Sequence, residues 1–165
     1  MKLGKIVKSF FFLFVFFFVC HKPALAKGNN FITVVNPVRG EEFLDQKSAD
    51  PLVGVKFQRQ LNDRLFLPTT WLLRDDILAS DSIDYFKALK GADEIGLFLE
   101  ITPGLAKKAE VNYPEGGLFW HDANRIFLSG YKPEDRKKLI DELFVNFKEA
   151  FGYFPKSVGA WHVDA

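Results

Sequence analysis

Short apolar runs of strand character alternate with helical segments along this chain, and that alternation leaves few folds open. Residues 30–35 (NFITVV) are rich in β-branched side chains and run into NPVRG, where Pro37 and Gly40 mark a loop. Asp50 and Pro51 then supply a helix cap and first position, and Val53, Phe57, Leu61 and Leu65 recur at i+4 as one stripe expected to be buried. A second strand is expected over residues 67–73 (LPTTWLL). It is followed by a short helix that turns Ile83, Phe86 and Leu89 inward and stops at Gly91. A third strand covers 94–103. The longest helix begins near Pro133, where Glu134 and Asp135 complement the positive end of its dipole. Leu139, Ile140, Leu143, Phe144, Phe147 and Phe151 form its apolar stripe, and Gly152 with Pro155 ends it. Residues 157–163 (SVGAWHV) read as a fourth strand.

Strands this apolar need cover on both faces, so the order predicts parallel βαβ units and an α/β fold. The best description is the N-terminal part of an irregular parallel (β/α) barrel with about four strands present. A whole barrel takes roughly 250 residues, and strand four has no helix after it, so the expectation is a truncated portion of a barrel. A small open α/β sheet is the alternative.

The first residues read as an address. Lys2, Lys5 and Lys8 precede an apolar run over residues 10–20, and Ala24-Leu25-Ala26 gives a small-x-small cleavage pattern. We therefore expect a signal peptide over 1–26, a barrel portion over 27–165, and a secreted, periplasmic or cell-envelope location. The membrane would be touched only through that segment, were it uncleaved; the run is shorter than the ~20 apolar residues of a usual span. The chain has 22 basic and 21 acidic residues, and cleavage removes Lys2, Lys5, Lys8 and Lys22 but no acid. That leaves 18 against 21, a net charge of −3, which gives no electrostatic reason to expect nucleic acid as a partner. The single cysteine, Cys20, leaves with the leader, so neither a disulfide nor a thiol nucleophile is expected in the mature protein.

In parallel α/β folds ligands sit beyond the carboxyl ends of the strands. Those ends carry Asn36 and Arg39, then Arg74, Asp75 and Asp76, then Glu100, then His162 and Asp164. Alternation along strand three puts Gly96, Phe98 and Glu100 on one face and Leu97, Leu99 and Ile101 on the other, which points Glu100 toward the barrel axis. Val158, Ala160, His162 and Asp164 share one phase of strand four. Were strands three and four neighbours, Glu100 and Asp164 would lie close enough to shift each other's ionisation. Each residue also has a plainer role open to it: Glu100 as an acceptor for loop amides, Trp161 as core, Trp120-His121-Asp122 as an ordinary folded loop, Arg74-Asp75-Asp76 as a charge cluster at the start of a helix. The long segment 114–131, with paired glycines and several aromatics, exceeds what a connection needs. No phosphate-binding glycine loop, nucleophile elbow, HExxH or CxxC occurs.

The order of segments resembles the polysaccharide deacetylases of the glycoside hydrolase/deacetylase superfamily. LPTTWLL resembles that family's strand of the form aTfF, GADEIGLFLEITP stands where the family has an EiG run with histidines, and residues 135–164 resemble its helix, turn and next strand. The likeness spans roughly residues 31–165. It implies an irregular (β/α) barrel acting on carbohydrate. The family binds a divalent metal, such as zinc, through an aspartate and an HxxxH pair; here strand one runs into NPVRG, and Phe98 and Thr102 occupy the histidine places. No cofactor or family-type metal site is therefore expected.

Three functions follow as expectations, all with polysaccharide or cell-wall glycan as partner. The first is a hydrolase with Glu100 and Asp164 as acid/base pair and His162 assisting. In it Arg39, Arg74, Asp75, Trp120, His121 and Trp161 contact substrate; the carboxylate separation would decide between retention and inversion. The second is a deacetylase whose metal has moved to His121, His162 and a carboxylate. The third is a noncatalytic glycan-binding barrel fragment in which Trp120, Tyr131 and Trp161 stack on sugar.

Overall fold

A computed structural model of the protein describes residues 32–42, 50–89, 91–115 and 122–161. Of the expected site residues, Trp120, His121, His162 and Asp164 lie outside these. The elements in order are β1 (Val34–Val38), α1 (Leu52–Arg64), β2 (Thr69–Leu73), α2 (Asp75–Leu78), α3 (Ile83–Lys87), β3 (Glu94–Phe98), α4 (Pro103–Lys108), α5 (Ala123–Ile126), a 3-10 turn (Leu128–Gly130), α6 (Pro133–Phe151) and β4 (Val158–Gly159). The four strands pair in parallel in sequence order and curl into a half-barrel. The α/β class and the parallel order expected from the alternation are thus present.

Register fixes which side chains share a face. Pro37 aligns with Leu72 and Leu72 with Gly96, while Phe98 aligns with Gly159. These form the concave inner face. Trp71, Leu73 and Leu97 alternate with them on the outer face and join the main core with Ile77, Phe86, Leu105, Leu139, Leu143 and Phe147 from the helices. Two glycines make room on this face. A Cβ on Gly159 would sit 2.3 Å from Leu72 Cδ1, and one on Gly96 would sit 2.9 Å from Leu72 Cδ2 and 2.6 Å from the Ser157 carbonyl oxygen. Leu72 therefore fills the concavity over both glycines.

The long helix α6 meets expectation: Leu139, Leu143 and Phe147 are buried, Phe144 and Phe151 pack beside them, and Gly152 ends the helix with φ of +80°. Ile83 and Phe86 also turn inward, and Gly91 takes φ of +103° past α3. Helix α4 is capped by Thr102, whose hydroxyl accepts from the Leu105 N–H at 3.1 Å, with Pro103 in its first turn.

Several expectations are corrected: β3 ends at Phe98 rather than running to 103, and β4 is Val158–Gly159, with Ala160 and Trp161 already beyond it. Strand β1 runs through Asn36-Pro37-Val38 rather than stopping before them. Proline is tolerated there because, among the described residues, β1 is an edge strand and one side of its backbone has no partner strand to lose. The larger correction concerns α1. Val53, Phe57, Leu61 and Leu65 are exposed, Phe57 by 73%, and the buried residues are Leu52, Val55 and Asn62. Hydrogen bonding sets the helix's rotation. Asn62 Nδ2 donates to Thr69 Oγ1 at 2.8 Å, Gln58 Nε2 to Asn36 Oδ1 at 2.8 Å, and Arg59 reaches Asp93 at 2.8 Å. Asp93 in turn accepts from the Thr69 N–H and the Trp71 indole N–H. At 100° per residue the stripe lies on the side of α1 opposite Leu52, Val55 and Asn62, which is why it stays exposed.

Candidate functional site

Each strand carries one polar or aromatic side chain just past its carboxyl end, in the phase of the inner face. Two residues beyond Pro37 is Arg39, two beyond Leu72 is Arg74, two beyond Phe98 is Glu100, and two beyond Gly159 is Trp161. The pleat delivers all four to one place because the strands are parallel and neighbouring.

Glu100 is the hub. It is 3% exposed and accepts from Arg39 Nε at 3.0 and 3.1 Å, Arg39 Nη2 at 2.8 Å, Arg74 Nη1 at 2.5 Å and Trp161 Nε1 at 2.9 Å. Arg74, itself buried, turns its other edge to Asp76, with Nε to Oδ1 at 2.8 Å and Nη2 to Oδ2 at 2.6 Å. Asp76 also accepts from the backbone N–H groups of Gly40 and Glu42 at 3.1 and 3.2 Å, which ties the loop after β1 to the rim. Gly40 permits this close approach, since a Cβ there would lie 2.6 Å from Asp76 Oδ2 and the carboxylate would have to move. The result is a chain of alternating charge, Arg39–Glu100–Arg74–Asp76.

Its electrostatics follow from these contacts. Burial alone pushes the Glu100 carboxyl up, but the hydrogen bonds and charges of Arg39 and Arg74 together outweigh it and hold the group below the usual range. Asp76 is likewise raised by burial and, on balance, lowered by Arg74 and its two backbone donors. Both are ionised at neutral pH. Arg74 loses by burial and regains more from Asp76 and Glu100, so its guanidinium is held above its ordinary value.

An aromatic pair completes the rim. The Arg39 guanidinium lies 5.5 Å from the Phe98 ring centre and 5.0 Å from that of Trp161, and the two rings meet edge to face at 5.7 Å. Trp161 is 49% exposed. It is therefore not core, and its indole N–H is tied to Glu100 while much of its surface meets solvent.

Of the expected site residues, the structure brings Arg39, Arg74, Glu100 and Trp161 together. It turns Asp75 elsewhere: buried, it accepts from Lys108 Nζ at 3.0 Å and Asn146 Nδ2 at 2.8 Å, joining α2 to α4 and α6. Asp76 is the network member that sequence reasoning noted at the rim but did not choose. The available signal was position: in the first turn of a helix, adjacent aspartates point to different sides, so only one can face Arg74. In strand four, Trp161 shares the inward phase with Gly159, whereas Val158 aligns with the outward Leu97. The partner that strand four gives Glu100 among the described residues is accordingly Trp161.

Two positions that the resemblance set against metal ligands are engaged otherwise: Phe98 packs under Arg39 and Trp161, and the Thr102 hydroxyl caps α4. Glu100 and Asp76 are already neutralised by guanidinium groups that a cation would have to displace. Among the described residues no group of three His, Cys, Asp or Glu side chains converges as a metal site, and no helix is long and apolar enough to cross a membrane. No family model, curated protein or solved structure matches the chain.

Proposed function

We propose that this chain is an exported carbohydrate-active protein of the deacetylase-like barrel kind, and that the Arg39–Glu100–Trp161 rim is where it holds glycan. One observation carries the reading: a half-exposed indole, anchored through its N–H to a buried carboxylate, stands beside an arginine at the carboxyl ends of parallel strands. A sugar ring offers C–H groups to an aromatic face and hydroxyls to charged neighbours, and this rim presents both partners. Among the described residues β1 has no partner strand on one side, which supports packing against further strand–helix units, with these four strands as half of an eight-stranded barrel.

Within this reading glycan binding is favoured over proton donation by Glu100. A general acid needs a raised pKa, whereas two guanidiniums keep Glu100 ionised. Hydrolysis is the second reading, with an ionised Glu100 stabilising developing charge rather than donating a proton. Affinity electrophoresis of the full chain through gels containing cell-wall and capsular polysaccharides tests the proposal. Retardation by at least one glycan, lost in Trp161→Ala, is expected. Unretarded migration on every glycan, or retardation unchanged in Trp161→Ala, would sink it.

A further inference from the structure

The rim's charges are layered. Glu100 and Asp76 lie beneath, buried, with their oxygens occupied by guanidinium N–H groups, while Arg39 above them is 36% exposed. Arg39 commits Nε and Nη2 to Glu100, and its Nη1 donates to no described residue. Phe98 and Trp161 flank the guanidinium, so its plane and its remaining N–H groups keep a set direction. A molecule settling on the Trp161 ring meets this cation before either carboxylate.

We propose that the rim selects acidic sugars: the carboxylate of a uronic acid receives a charge-assisted hydrogen bond from Arg39 Nη1 while the same sugar ring lies against Trp161. This rests on the glycan reading above and narrows it. Arginine's planar fork allows it to hold Glu100 along one edge and a second carboxylate at the remaining nitrogen. Glu100 acts through Arg39 as a positioning residue, and the Phe98–Trp161 pair keeps the guanidinium from swinging into solvent. A neutral sugar gains the ring contact alone.

The experiment is calorimetric titration of the full chain with a short oligogalacturonide and with the same oligosaccharide methyl-esterified, which removes its charge and little else. Roughly tenfold tighter binding of the acid is expected at low salt, narrowing as ionic strength rises. Arg39→Gln should bring acid and ester level, Arg39→Lys should leave a smaller preference, and Trp161→Ala should weaken both alike. Equal binding of acid and ester by the unsubstituted chain overturns acidic selectivity while the glycan reading stands, and it needs no variant to fold. Acid preference that survives Arg39→Gln in a chain with native circular dichroism overturns the assignment to Arg39. Failure to bind either probe, together with unretarded migration on every polysaccharide, removes both readings.

Discussion

Glu100 receives hydrogen bonds from three residues, and its position makes acid the condition to which this protein should be most sensitive. Its folded pKa lies below the ordinary 4.5 and that of Asp76 below 3.8, so the unfolded chain binds protons first as pH falls. The stabilisation is complete above about pH 5, declines through the unfolded values and is gone once pH passes the depressed folded values. Urea unfolding between pH 7 and pH 3 should show that decline. Glu100→Gln should flatten it and cost on the order of 3 kcal/mol at pH 7, because two guanidiniums, one of them buried, lose their counter-charge. An unchanged pH profile in that variant would mean that Glu100 does not hold the network together. Arg39, Arg74 and Glu100 were legible in sequence because alternation and strand ends together specify an inward, carboxyl-terminal position. The ionisation of Glu100 was not, since its donors stand 61, 26 and 61 residues away.

At the scale of elements, Leu72 fills the space that glycines leave on β3 and β4. Gly159→Ala would drive its Cβ against Leu72 Cδ1 and should cost about 1–3 kcal/mol. In a Leu72→Ala background the same substitution should cost much less, so a double-mutant cycle should return a coupling energy well above 0.5 kcal/mol. Gly96→Ala should not be rescued in this way, because its new Cβ also meets the Ser157 backbone oxygen. Additive costs for Gly159→Ala and Leu72→Ala would show that the two sites are not in contact. Helix α6 was readable from its caps and stripe because both are local. Helix α1 was not: its i+4 apolar stripe is real, but Asn62, Gln58 and Arg59 find partners on β2, β1 and Asp93, and those distant partners choose the face that turns inward.

At the scale of the whole molecule, Val53, Phe57, Leu61, Leu65 and Phe66 leave an exposed apolar flank on and just after α1. Exposed apolar flanks of this kind promote association. For this 165-residue chain, Phe57→Ser and Leu61→Ser should each change folding stability by less than about 0.5 kcal/mol, as exposed sites do, while together reducing concentration-dependent association in sedimentation velocity. A loss above about 2 kcal/mol from either would mean that the flank is packed in solution. Parallel α/β topology was visible beforehand from strands apolar on both faces. Where the half-barrel leaves apolar surface uncovered was not, because that depends on the rotation of α1 about its own axis.

The sequence by itself determined the kinds and order of elements, the parallel sense of the sheet and the strand-end positions at which Arg39, Arg74 and Glu100 converge. Each of these follows from local periodicity, turn chemistry and the two-residue pleat. The tertiary structure alone decided that Asp76 and not Asp75 closes the charge network, that Trp161 meets Glu100, and that α1 turns Leu52, Val55 and Asn62 inward rather than its i+4 stripe. Those outcomes rest on hydrogen bonds and close packing between residues far apart in the chain, and such contacts leave no mark on the spacing of residues along it.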